Sequence, residues 1–547
     1  MITGLMLKKA FISGANNISN HRKDVDALNV FPVPDGDTGT NMSMTISAAV
    51  RELKVIADDE DVSVVAAKTA AALLRGARGN SGVILSLIFR GFSNGVKGLR
   101  EADGTALTKA FALGTESAYK AVMKPTEGTI LTVVRMAATA VAETKETDYK
   151  VVIETAYNAA DKALAQTPDM LPVLKEAGVV DAGGQGLLYI LEGMKSVLID
   201  DVIIESFDKS NEKEPQKKSV VAAASADIKF GYCSEFLINK TKTPQSSPLK
   251  LKAYLQSIGD CVVVVEDDDI VKVHVHSNEP GNVIEAALKC GALTNIKIDN
   301  MRFQHQNADE GSEEKVEEKT LLERVEPVNK YGFVTVSAGE GLSSLFSELG
   351  ADNVVSGGQT MNPSTDDILN AIEATPAKHV FVLPNNKNII MAAEQTVNLA
   401  DREVSVLTTK TIPQGISAML TFDEDFTPEE NHLNMMKAAE STHTAQVTFA
   451  ARDSEMSGQR IKEGQILGLE DGKITLVEDD IVSAAYRVTR RLIKKYDGSL
   501  ITIFYGSDAD NDMAEALGKR LIDRFPNIEI NIVSGGQPVY YFIVSVE

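Results

Sequence analysis

The chain has 547 residues, too many for one hydrophobic core, and its 44% hydrophobic and 24% charged content is that of an ordinary globular protein. A formal net charge of −22 excludes general attraction to nucleic acid phosphates or to anionic membranes. No apolar run approaches the roughly 20 residues that cross a bilayer, the N-terminal segment lacks a signal-peptide cleavage pattern, and Cys233, Cys261 and Cys290 are too few for a disulfide framework, so a reducing cytoplasm is expected.

In chain order, Ala-rich periodic stretches at 64–74, 114–122 and 153–165 predict amphipathic helices up to about residue 200. Four glycine-rich breaks interrupt them: PDGDTGTN, GARGNSG, KPTEGT and DAGGQG. Four are more than connection alone requires, so convergence on one site is expected. The segment after Ile204 is polar and reads as a linker. KFGYCSEFLI, CVVVVEDDD and IVKVHVHS then read as strands followed by a helix GNVIEAALKCG, a small α+β domain. A Glu/Lys-rich stretch from Asn307 marks a second boundary. From Tyr331 onward short apolar strands alternate with helical segments, which predicts an α/β fold with a parallel sheet covered on both faces. VVSGGQTM (Val354–Met361) and IVSGGQPV (Ile532–Val539) repeat, which suggests two related halves. The boundaries expected are therefore 1–205, a linker 206–224, 225–306, a charged linker 307–329, and 330–547.

The sharpest motif is NVFPVPDGDTGTNM, Asn29 to Met42. Pro32 and Pro34 hold the chain extended, so Asp35 and Asp37, two residues apart, point to one side and can share a magnesium ion. Asn29 offers a third, neutral oxygen. The amides of Thr38, Gly39 and Asn41 at the following helix start suit the phosphates of a nucleotide. An acidic turn that caps a helix would have the same local appearance. Gly79, Asn80, Ser81 and Gly82 open another helix and form a second candidate phosphate cradle, with Arg78 beside it as a charge stabiliser or as a surface arginine in a turn. There is no GxxxxGK[ST] pattern, which excludes a P-loop. His274 and His276 share a strand face, and Cys233 on a neighbouring strand would complete a three-ligand zinc site; two solvated histidines are the alternative.

Taken whole, the Asn29–Met42 string resembles the signature of the dihydroxyacetone kinase L-type domain, in the form found in fatty acid kinase ATP-binding subunits. The same family pattern is matched by GARGNSGVILSLIFRGF (Gly76–Phe92), MKPTEGTIL (Met123–Leu131), DAGGQGL (Asp181–Leu187), VKVHVH, SGGQTMNPST, LPNNKN and the closing GGQPVYYFIVSVE, across essentially the full chain. The resemblance implies an all-α helical-barrel nucleotide domain, a small middle domain and a C-terminal α/β domain that engages a separate fatty-acid-binding partner. It further implies ATP and magnesium as cofactors, nucleotide contacts at Thr129, Asp181 and Gly183, zinc at Cys233, His274 and His276, and a homodimer. The expected reaction is transfer of the γ-phosphate of ATP to a fatty acid carboxylate. That acceptor is already ionised at neutral pH, so no general base is needed. A small hydroxyketone or polyol kinase and a non-catalytic nucleotide-binding scaffold are the alternatives. SGGQTMNPST (Ser356–Thr365), LPNNKN (Leu383–Asn388) and TIPQGISAM (Thr411–Met419), polar loops after apolar strands, are expected to contact the partner.

Overall fold

The computed structural model describes the chain except residues 30–35, 123–124, 208–231, 241–246, 267–269, 301–321, 359–360, 451–453 and 457–458, and apart from some side chains between 232 and 300 and around 454–460. Two compact units are present: residues 1–211 together with 321–547, and residues 212–320.

Among the described residues, the first unit opens with eleven helices: α1 (Gly4–Asn20), α2 (Arg22–Leu28), α3 (Thr38–Lys54), α4 (Val62–Arg75), α5 (Gly79–Gly95), α6 (Gly104–Ala121), α7 (Ile130–Thr144), α8 (Tyr149–Ala165), the short α9 (Thr167–Met170) and α10 (Pro172–Ala177), and α11 (Ala182–Asp200). Helices α1, α3, α4, α5, α6, α7, α8 and α11 each pack on the next, and α11 returns to α1, so they close into a ring. One apolar stripe per helix faces inward, as the 3.6-residue periodicity predicts. The interior is a continuous core in which Phe11 meets Phe89 at 5.3 Å and Phe92 at 6.1 Å between ring centroids.

The second unit comprises β1 (Tyr232–Lys240), α12 (Pro248–Ile258), β2 (Gly259–Glu266), β3 (Ile270–Ser277), α13 (Pro280–Leu288) and β4 (Gly291–Asn300). Its four-stranded antiparallel sheet has the order β2-β3-β1-β4. Phe236, Ile238, Val271, Val273 and Val275 form the buried face with Leu251 and Leu255 of α12 and Val283 and Ala287 of α13. The register sets position 233 directly across from position 276. The side chains of Cys233, His274 and His276 lie outside the described residues, and among the described residues no group of His, Cys, Asp and Glu is arranged to hold a metal.

The C-terminal part of the first unit runs β5 (Asn329–Ser337), α14 (Glu340–Glu348), β6 (Asn353–Ser356), α15 (Thr365–Glu373), β7 (Ala377–Leu383), α16 (Ile390–Thr396), β8 (Glu403–Val406), α17 (Ile412–Leu420), α18 (Pro428–Ser441), β9 (His443–Phe449), β10 (Ser454–Met456), β11 (Gln459–Ile461), β12 (Ile466–Glu470), β13 (Lys473–Glu478), α19 (Ile481–Tyr496), β14 (Leu500–Tyr505), α20 (Asn511–Arg524), β15 (Glu529–Ser534) and β16 (Phe542–Val546). The single parallel sheet expected from sequence is corrected here. Only the β6-β5-β7-β8 sheet is fully parallel, whereas the β13-β12-β9-β16-β14-β15 sheet is antiparallel except for β14 with β15. Strands β12 and β13 are joined by a tight turn through Asp471 and Gly472, both at positive φ, and a two-residue turn of that kind imposes antiparallel pairing. The repeated Ser-Gly-Gly-Gln segments leave β6 and β15, which occupy equivalent places beside β5 and β14 at the ends of β-α-β units.

The helical ring and the parallel sheet share a core. Val83 and Leu87 of α5, with Ala77, pack among Val334, Val336, Ile368, Val380, Ile389, Ala392 and Ala393. Burial of aliphatic side chains at ~1.5–3 kcal/mol each makes this junction part of the fold rather than a loose contact.

Candidate active site

The four glycine-rich breaks are the starts of four helices, and the ring brings those starts together. Asp37 and Thr38 at α3, Asn80 and Ser81 at α5, Thr129 and Ile130 at α7, and Asp181, Ala182 and Gly183 at α11 line one cleft of about 450 Å³. Each helix N-terminus carries roughly half a positive charge, so four of them at one space favour a polyanion. Asn29 and Asn41 also line the cleft, and Leu171, Val173 and Leu174 from α10 and its approach provide an apolar wall.

Asp37 is the residue before α3, with 8% exposure, and its Oδ2 accepts a 2.6 Å hydrogen bond from Nδ2 of Asn362, 325 residues away. Asp26 accepts from the Thr40 amide at 2.9 Å and the Thr40 hydroxyl at 2.8 Å, so this carboxylate secures the first turn of α3. Asp35 lies outside the described residues. Asn80 Oδ1 is buried without a hydrogen-bond partner among the described residues, a feature that costs free energy until a ligand satisfies it.

Four residues singled out from sequence stand behind the cleft rather than on its lining. A Cβ on Gly39 would lie 2.2 Å from the Arg22 carbonyl oxygen, and one on Gly82 would lie 2.3 Å from Thr45 Oγ1, so these glycines let α3 approach α2 and α5 approach α3. Gly79 holds φ at +57° and packs against the Asn41 amide. Arg78 is corrected in place. Its Nη1 donates to the Asn362 carbonyl oxygen at 2.7 Å and its Nη2 lies 3.5 Å from Asp367 Oδ2, so the guanidinium grips the C-terminal part. Burial, and to a lesser extent Arg51, lowers its pKa from the ordinary arginine value.

The SGGQTMNPST and LPNNKN loops, expected to contact a partner, meet the cleft within the same unit. Ser364 bridges to Arg78, the Thr365 amide donates to the Ala77 carbonyl at 3.0 Å, and Lys387 and Asn388 line the cleft itself. Sequence reasoning missed Asn362, Lys387 and Asn388 as site residues. Their one signal was a polar loop following an apolar strand, which does not reveal what it faces.

Asp181 serves as a double cap: its Oδ2 accepts from the Gly184 amide of α11 at 2.7 Å, and its carboxylate also receives the Ile130 amide at the start of α7. Burial pushes its pKa up to about 6 against the opposing effect of these hydrogen bonds. The folded protein therefore holds this proton more tightly than the unfolded chain does. The contribution to stability is fully present below the ordinary aspartate pKa and is lost as pH rises through about 6. A rise of this size corresponds to about 3 kcal/mol. Asp181→Asn, which keeps an acceptor for Gly184, is expected to raise the melting temperature of the ligand-free protein at pH 8 and to give no gain near pH 4. A gain independent of pH would contradict this account.

Comparison with known proteins extends over the whole chain. A family model described as DAK2 domain matches residues 32–196, the middle-domain model of the fatty acid kinase A-subunit-like (FakA-like) family matches 229–308, and the C-terminal model of the same family matches 332–547. Protein YloV of Bacillus subtilis (strain 168) is 41% identical over 554 residues, covering 100% of this chain and 99% of the relative. Protein SH1689 of Staphylococcus haemolyticus (strain JCSC1435) is 39% identical with the same coverage. Among solved structures, the dihydroxyacetone kinase from C. freundii in complex with AMP-PNP and Mg2+ matches 35% of this chain and 33% of that one at 18% identity, with a TM-score of 0.27, too low to carry an argument.

Proposed function

From the premise that this chain belongs to the fatty acid kinase FakA-like family, we propose that it is the ATP-binding catalytic subunit of a fatty acid kinase, phosphorylating the carboxylate of a fatty acid held by a separate binding protein. The single observation that carries the reading is the convergence of four helix N-termini, with the Asp37 carboxylate, on one cleft that also has an apolar wall. An adenine ring suits the wall at Leu171, Val173 and Leu174, and a triphosphate suits the helix starts. The chemistry of the donor set fits magnesium: the Asp37 carboxylate and the Asn29 amide oxygen line the cleft, and Asp35 stands two residues before Asp37 in the sequence. When bound, that ion neutralises charge on the phosphates. The protein's own contribution is alignment: the amides at the starts of α3 and α5 orient the phosphates, and Thr129 and Gly183 border the nucleotide. No described residue of the cleft needs to take a proton, because a fatty acid carboxylate is ionised at pH 7.

The test is transfer of labelled γ-phosphate from ATP to oleate by the full-length protein, with and without a fatty-acid-loaded binding protein. Partner-dependent acyl phosphate is the expected product. Transfer to dihydroxyacetone or glycerol instead would replace this reading by that of a polyol kinase, and nucleotide binding with no transfer to either acceptor would make the chain a scaffold. Among the described residues no helix is long and apolar enough to cross a membrane.

A further inference from the structure

We propose that Lys387, from the C-terminal α/β part of the chain, supplies the cation that meets the terminal phosphate of the nucleoside triphosphate. This rests on the nucleotide reading of the cleft given above and deepens it. Among the described residues that line the cleft, Asp37 and Asp181 are acidic and Lys387 is the one basic side chain. A triphosphate entering between two carboxylates, in a chain of net charge −22, needs a local positive charge beyond the helix amides. Arg78, the arginine that sequence places beside the phosphate cradle, does not line the cleft and reaches instead to Asn362 and Asp367.

The loop that carries Lys387 is held rigidly. Asn385, with φ at +54° and 6% exposure, donates to Thr335 Oγ1 at 2.8 Å and to the Val336 carbonyl at 3.0 Å, while Thr409 Oγ1 donates to its Oδ1 at 2.8 Å. Asn386 donates to the Gly358 carbonyl, and the Asn388 amide donates to Asn386 Oδ1 at 2.9 Å. Two residues after Lys387, Ile389 enters the core shared with Val83 and Leu87 of α5, the helix whose first turn bears Asn80 and Ser81. The lysine and the phosphate cradle are thus fixed to one another through packed side chains. Lys387 itself is exposed at the cleft, so replacing it leaves the core intact.

Lys387 also borders a second cavity of about 320 Å³ at the carboxyl ends of β5 and β7, where Lys410 and Lys473 lie, and this gives the test its opposing outcome. Equilibrium binding of AMP-PNP and of ADP, each with magnesium, is measured on the full-length wild type, Lys387→Met, Lys387→Gln and Lys387→Arg. A charged contact to the terminal phosphate predicts a loss of about 10- to 100-fold for AMP-PNP in both neutral variants, with ADP affinity within about 2-fold of wild type. Lys387→Arg is expected to restore most of the preference for the triphosphate. Equal losses for the two nucleotides, or no loss, overturn the proposal and leave Lys387 to the second cavity. If wild type binds neither nucleotide, the nucleotide reading fails and the proposal falls with it.

Discussion

Asp37→Ala is expected to lower phosphoryl transfer by at least about 100-fold while the melting temperature changes by only a few degrees. A metal ligand in a phosphoryl-transfer site contributes several kcal/mol to charge stabilisation, and each 1.36 kcal/mol is tenfold in rate. The stability effect is smaller because two terms oppose one another. Removing the carboxylate deprives Asn362 Nδ2 of its acceptor at 2.6 Å, but it also removes the cost of desolvating a largely buried carboxylate. Asp37→Asn separates the chemical role from the architectural one, since its amide oxygen still accepts from Asn362 yet is a weaker magnesium ligand. Near-normal transfer by Asp37→Asn would mean that Asp37 serves only to join the two parts of the unit.

The second large effect is expected at Gly79. With φ at +57°, an alanine there carries the left-handed strain of about 1–2 kcal/mol, and its Cβ would lie 2.6 Å from Asn41 Nδ2, 3.1 Å from Asn41 Cγ and 3.3 Å from Asn362 Nδ2. Displacing a buried amide adds on the order of 1–3 kcal/mol. Gly98→Ala is the matched control: φ is +78° and nothing lies within 4 Å, so only the backbone cost applies. Urea unfolding should therefore show Gly79→Ala about 1–3 kcal/mol less stable than Gly98→Ala. It should also bind nucleotide more weakly, because Asn41 lines the cleft. Equal stability of the two variants would show that the Asn41 amide yields without cost.

The helices of the first part were legible because their signals are local. The periodic stretches at 64–74, 114–122 and 153–165 fall within or at the edge of α4, α6 and α8, and IVKVHVHS coincides with β3. Helix α12 and strand β4 were not read, since Pro248–Ile258 mixes lysines with its apolar residues and Gly291–Asn300 alternates only weakly. In the C-terminal part the βα alternation was clear, but the pairing of β9, β12 and β16 joins residues far apart in sequence, and register across such distances has no local signature.

Local signals in the chain were enough to show that two glycine-rich breaks, at PDGDTGTN and GARGNSG, begin helices and that Asp37 stands at one such start, because capping and chain stiffness act over a few residues. Only the tertiary structure decided which of these starts share a cleft, that Gly39 and Gly82 serve close packing, that Arg78 turns to Asn362 and Asp367, and that Lys387 enters from the far end of the chain. The physical reason is that these contacts follow from the burial of the face of α5 against the parallel sheet, and that face is apolar without naming what covers it.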